Sequence, residues 1–144
     1  MELKFGEEFK TRQEITSLLG GDMQKGIAVS HDYPVILLFT NEARLYEDYF
    51  YPPKRYDYCM YTGIGRSGHQ DSITNNMYNL NIEVLSHKAN HKHLLLFEKN
   101  NSNYVFVGEY QLIETHQNVQ PDENNIMRRV FVFHLEQIAK TYLF

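Results

Sequence analysis

The sequence predicts an α+β domain built on a curved or barrel-like sheet. Short apolar or alternating runs of strand length outnumber helical patterns, and the helical patterns fall between strands. The aromatics add a third sign: 11 Tyr and 9 Phe with no Trp suit a pleated, half-buried surface.

The first element is a helix. Thr11-Arg12-Gln13-Glu14 has capping-box spacing, Ile15, Leu18 and Leu19 make an apolar stripe, and Gly20-Gly21 can close the helix. After Pro34, the run Val35 to Thr40 is rich in β-formers and short enough to be a buried strand. Residues 41–55 are charged and tyrosine-rich and contain Pro52-Pro53, which reads as a loop. Tyr56 to Thr62 is a second strand, ended by Gly63-Ile64-Gly65. From Asn76 to His87, Met77, Leu80, Val84 and Leu85 suggest a helix. Strands His93 to Glu98 and Tyr104 to Thr115 follow, divided by the turn-forming Asn100-Asn101-Ser102-Asn103. Gln117 to Asn125 reads as a polar loop, Met127 to Leu135 as a last strand and Glu136 to Phe144 as a short terminal helix. With no repeat, long linker or low-complexity tract, residues 1–144 are expected to form one domain, large enough to bury a core.

Composition narrows the function classes. Hydrophobic residues make up 42% of the chain, far from a disordered composition. The single cysteine, Cys59, cannot form an internal disulfide, and no Cys/His zinc pattern is present. No metal and no cofactor are therefore expected. There is no basic-plus-apolar leader, and the longest apolar run is far too short to span a bilayer. These features point to a reducing cytoplasm and no membrane partner. The net charge of −4 means that any nucleic-acid surface must concentrate its positive charge locally.

No catalytic set emerges. His87, His91 and His93 cluster, but they straddle the end of the expected helix with no carboxylate at a ligand spacing. They read as a solvated, partly cationic corner. His69 to His91, with Asn76, Asn79 and Asn81 between, has a superficial likeness to an HNH nuclease, yet no strand–His–strand frame precedes its helix. Asp71, Asp122 and Glu123 form no two-metal nuclease set with a Glu-x-Lys partner. The stretch Gly63-Ile64-Gly65-Arg66-Ser67-Gly68 lacks the Gly-Lys-Ser/Thr ending of a phosphate loop, although its amides could still meet a phosphate.

An ordered series of short motifs carries more information than any one of them. It runs Thr11-Arg12-Gln13-Glu14-Ile15, Gly20-Gly21, Gly26-Ile27 with Ser30, Pro34 through Thr40, Tyr46-Glu47-Asp48, Tyr61-Thr62-Gly63-Ile64-Gly65, Gly68, Asn81, Leu95-Leu96-Phe97-Glu98 and Gly108-Glu109-Tyr110. This order resembles the SRA (SET- and RING-associated, or YDG) domain, in the version carried by bacterial McrA-like, modification-dependent restriction endonucleases with a separate HNH nuclease domain. The Tyr-Thr-Gly-x-Gly turn after an apolar Phe-Thr strand is its most specific piece.

The resemblance implies a PUA-like twisted β-barrel flanked by helices. It implies a partner, double-stranded DNA carrying 5-methylcytosine or 5-hydroxymethylcytosine, whose modified base is flipped into a pocket. A flipped base loses stacking and pairing, which the pocket must replace with aromatic faces and hydrogen bonds to the base edge. By resemblance, Tyr61 is one wall and Tyr46 the other. Asp48 accepts from a cytosine amino group, Thr62 adds an edge contact, and Gly63 completes the pocket. Arg66, Ser67, His69, Gln70, Asn81, Lys88, Lys92, Arg128 and Arg129 are the expected DNA contacts. Relatives usually read Gly-Glu-Gly-Gln at the glycine turn. Gly63-Ile64-Gly65-Arg66 makes this rim less acidic and more attractive to phosphate. Cleavage is expected in a separate nuclease domain or partner, so the chain itself is not expected to be an enzyme. The alternative is a PUA- or EVE-like module that binds modified RNA or a small ligand.

Overall fold

A computed structural model describes residues 1–40 and 46–144. In chain order these residues form β1 (Glu2–Lys4), β2 (Glu8–Phe9), α1 (Arg12–Leu19), β3 (Ile27–Val29), β4 (Val35–Thr40), β5 (Tyr49–Tyr51), β6 (Tyr58–Thr62), α2 (Tyr78–Leu85), β7 (His93–Asn100), β8 (Asn103–Pro121), β9 (Met127–Ala139) and β10 (Thr141–Leu143). The main sheet has the order β3-β4-β7-β8-β9-β6-β5, with β2 added on β8, and β1 pairs with β10 in a second, small sheet. The fold is sheet-dominated and mixed with two short helices, as the α+β expectation requires. Among the described residues, no helix is long and apolar enough to cross a membrane.

The unbroken apolar run in β4 follows from its place in the sheet. β4 lies parallel to β7, Val35 opposite His93 through Thr40 opposite Glu98. A parallel pair needs a long crossover and is covered on both faces, so its strands lose the polar alternation of a half-exposed sheet. All six β4 residues are buried. Ile36, Leu38, Leu94 and Leu96 enter one core cluster with Val84 of α2 and Cys59, Tyr61, Phe133 and Leu135 of the neighbouring strands. Val35, Leu37, Phe39, Leu95 and Phe97 enter a second with Ile15 and Leu19 of α1.

Local signals set the helix ends. Thr11 accepts from the Glu14 amide at 3.2 Å, satisfying one of the amides that a first helical turn leaves without a partner. The Glu14 carboxylate reaches back to the Lys10 amide at 2.9 Å.

Three expectations need correction. Within 41–55, Tyr49–Tyr51 is a strand paired with β6, while residues 41–45 lie outside the described residues. The loop expected at Gln117 to Asn125 shrinks to a turn after Pro121, because β8 runs on opposite β9 as far as Pro121 and Met127. That turn closes locally: Asp122 Oδ1 accepts from the amides of Asn124 at 2.8 Å and Ile126 at 3.0 Å. The terminal helix expected from Glu136 is also strand. β9 continues to Ala139, and β10 pairs with β1, burying Leu3 and Tyr142. Partner strands distant in sequence, β8 and β6 for β9 and β1 for β10, decided that segment, and helix propensity yields to such pairing.

Candidate nucleic-acid interface

The strand end at Thr62 and the turn after it organise the site. Gln70 and Asn81 are both fully buried and brace the turn from below. Asn81 Oδ1 accepts from the Ile64 amide and its Nδ2 donates to the Ile64 carbonyl, both at 2.8 Å. Gln70 Nε2 donates to the Gly63 carbonyl at 2.8 Å, and its Oε1 accepts from the Phe131 amide at 3.0 Å. Gly63 is glycine because those two side chains occupy its space. A Cβ there would stand 2.7 Å from Asn81 Oδ1 and 2.8 Å from Gln70 Oε1. Gly63→Ala is expected to cost about 1–2 kcal/mol of stability, measured by denaturant unfolding. Parent-like stability would show that the brace can yield. As expected DNA contacts, Gln70 and Asn81 are therefore corrected: they lie beneath the glycine turn and hold its backbone.

Above the strand end sits Asp48. The Thr40 hydroxyl donates to its Oδ2 at 2.6 Å and the Thr62 amide to its Oδ1 at 2.8 Å. The carboxylate thus bridges the ends of β4 and β6. Asp48 also lines an open cavity of about 870 Å³, with Thr40, Tyr49, Phe50, Lys54, Arg55, Tyr56, Glu98 and Lys99 on its walls. Tyr56 donates to Glu98 Oε1 at 2.9 Å. Burial foremost, with that bond, pushes its phenol up to about 12, so the ring stays neutral and bound.

Tyr61 and Thr62 occupy places other than those the resemblance implies. Tyr61 is fully buried in the core, and its hydroxyl lies 2.9 Å from the carbonyls of both Gly26 and Phe39. Enclosed in this way, the ring presents no open face to a base. The Thr62 hydroxyl donates to the Glu47 carbonyl at 2.7 Å and accepts from Gln120 Nε2 at 3.2 Å, holding the 46–48 segment in place. Tyr46 is half-buried, and its phenol oxygen accepts from the Gly65 amide at 2.9 Å, tying the same segment to the glycine turn.

The expected DNA contacts divide into groups. Arg66, Ser67, His69 and Arg129 are exposed and converge on one rim, because the end of the β8–β9 hairpin packs beside the glycine turn. His69 Nδ1 accepts from the Arg129 amide at 3.0 Å. The rim cations are matched by acids: Arg66 pairs with Glu123 at 2.9 Å and Arg129 with Asp71 at 3.0 Å. The Arg129 bond holds the Asp71 carboxyl below its ordinary value. Arg128 is a correction. It is 2% exposed, donates to the Gly68 carbonyl at 2.8 Å, and keeps Nε and Nη2 buried without a hydrogen-bond partner. Its charge lies under the turn rather than on the surface. Lys88 and Lys92 stand at the far end of the parallel pair. Val35 and His93 begin that pair and Thr40 and Glu98 end it, a separation of roughly 16 Å at 3.3 Å per residue. Lys92 pairs with Glu83 at 3.1 Å. The structure does not bring these lysines to the cavity.

Thr40, Lys54, Arg55, Tyr56 and Lys99 line the cavity beside Asp48 and were not singled out by motif reading. Thr40 had one usable signal, as the polar end of an otherwise apolar strand. Lys54, Arg55 and Tyr56 lie in the connection between β5 and β6 and meet Lys99 of β7 only in the folded chain, which motif spacing does not show.

No protein of curated function matches the chain in sequence. Among solved structures it is similar to the sulfur-binding and SRA domains of ScoMcrA complexed with phosphorothioated DNA. The identity is 24% and the TM-score 0.72, over 94% of this chain and 40% of that one. It is similar to the SUVH5 SRA domain in complex with methylated CHH DNA, at 21% identity and a TM-score of 0.66, over 94% and 89% of the two chains. It also resembles the DNA modification-dependent restriction endonuclease AspBHI, at 12% identity and a TM-score of 0.65, over 89% and 68%. Of the phosphorothioation-dependent restriction endonuclease ScoMcrA, the chain spans 28%. Likeness at these identities establishes the fold, and the sequence pattern of ScoMcrA-like SRA domains matches residues 5–142. The chain belongs to the ScoMcrA-like SRA domain family.

Proposed function

We propose that this domain recognises double-stranded DNA carrying a modified cytosine and serves as the specificity module of a modification-dependent restriction system in the cytoplasm. The observation that carries the reading is Asp48, a carboxylate clamped by Thr40 and Thr62 at the edge of an aromatic-lined cavity. A carboxylate accepts from the cytosine amino group, while Tyr49 and Tyr56 bring aromatic surface to the same cavity, of the kind on which an extruded base stacks. Tyr46 ties the carboxylate's segment to the glycine turn. On the rim beside the glycine turn, Arg66, Ser67, His69 and Arg129 meet phosphates. In the solved relatives, the SRA domain accompanies a sulfur-binding domain on phosphorothioated DNA or stands alone on methylated DNA. With sulfur read by a domain of its own, the altered base is left to the SRA fold. DNA cleavage belongs to a separate nuclease domain or partner.

The test is a binding panel at one fixed salt concentration: plain, 5-methylcytosine, 5-hydroxymethylcytosine and phosphorothioated duplexes, with a modified RNA beside them. Preference for the modified-cytosine duplexes is expected. Equal affinity for all duplexes would sink the proposal, and preference for the RNA would favour the alternative ligand class. Affinity is also expected to fall with salt despite the net charge, and Arg66→Ala to reduce the log–log slope by about 0.9. An unchanged slope would remove Arg66 from the phosphate contacts.

A further inference from the structure

The β8–β9 hairpin carries a second cluster of chemistry, separate from the Asp48 cavity. Glu114 and His116 are two residues apart on β8 and so share a face of the strand. Across the ladder, His134 of β9 is the direct partner of Glu114. One ligand atom from each of the three lies within 4.8 Å of the others. His116 Nε2 stands 3.6 Å from Glu114 Oε2, too far for a hydrogen bond. It is close to the edge of a tetrahedron around a zinc-sized ion, about 3.3–3.4 Å for ligand bonds of about 2.0–2.1 Å.

We infer that Glu114, His116 and His134 bind a divalent transition cation of the zinc class. Two imidazoles with one carboxylate suit zinc, nickel or copper, whereas magnesium and calcium prefer oxygen ligands throughout. The scaffold is prepared before the ion arrives. A ladder fixes the three backbones, and the Tyr51 hydroxyl bonds His134 Nε2. The rings of Tyr51 and Tyr58 lie 5.6 and 5.7 Å from the His134 ring. An outer partner that orients a ligating histidine is a regular part of such sites. The side chains of Glu114 and His116 are 64% and 41% exposed, so they can close the remaining distance by rotating, and the fourth position opens to water. None of the three lines the Asp48 cavity. Sequence reading expected no metal because it looked for ligands at motif spacing, while this set is made by hairpin register.

The experiment titrates Co²⁺ into the chelator-treated chain, without added histidines, and then displaces it with Zn²⁺. Expected are saturable binding of one ion per chain, ligand-field bands in the visible, and loss of those bands as Zn²⁺ enters. The double variant Glu114→Gln with His116→Ala alters exposed side chains and leaves the fold intact. It is expected to lower affinity at least about tenfold, as is His134→Ala. His91→Ala, at an exposed histidine outside the cluster, is expected to bind as the parent does. Absence of saturable binding, an unchanged affinity in the double variant, or an equal loss in His91→Ala would each overturn the site.

Discussion

Tyr61→Ala is expected to lower the unfolding free energy by about 3–5 kcal/mol and to weaken binding to modified and plain duplexes together. The side chain is among the largest that are fully buried, and its removal opens a cavity where β4, β6 and β9 meet. Its hydroxyl also ties β6 to the Gly26 and Phe39 carbonyls. Tyr61→Phe keeps the ring and removes that tie, for about 1 kcal/mol. Denaturant unfolding of both variants, beside their affinities for the two duplexes, separates support from contact. A Tyr61→Ala protein of parental stability that lost only its affinity for the modified duplex would restore Tyr61 as a wall of the base pocket.

The second large effect concerns Asp48. Asp48→Asn is expected to lower the preference for modified over plain duplex by roughly 5- to 150-fold, the equivalent of about 1–3 kcal/mol for one base-edge interaction. The amide oxygen can still accept from the Thr62 amide, so the strand end stays in place. The amide NH₂ then faces Thr40 and the cavity, and a cytosine amino group would meet a donor instead of an acceptor. Affinity for plain duplex, set by phosphate contacts, is expected to change little. Unchanged discrimination in a folded Asp48→Asn protein would remove this carboxylate from base reading.

Much of the fold was legible because it rests on local chemistry. The capping spacing at Thr11, the apolar run at Val35 and the asparagine-rich turn at 100–103 each declare an element by themselves, and each stands where expected. The strands over residues 136–139 and 141–143 and the extension of β8 to Pro121 did not show. Neither sequence has a period that selects one conformation, and a partner strand supplies the hydrogen bonds that choose among them.

The candidate site divides in the same way. From the sequence alone came the family, the glycine turn and the Asp48 segment, because these lie in short motifs whose order along the chain is itself the signal. Which of the expected contact side chains are buried was decided only in the tertiary structure. Tyr61, Thr62, Gln70, Asn81 and Arg128 are polar, yet all are buried, and each holds a backbone group of a neighbouring segment in place. Conversely, Thr40 and Lys99 reach the cavity through strand pairing, and Glu114, His116 and His134 meet through the register of one hairpin. A polar residue binds whatever its surroundings leave unsatisfied, and for these residues those surroundings come from chain segments far away in sequence.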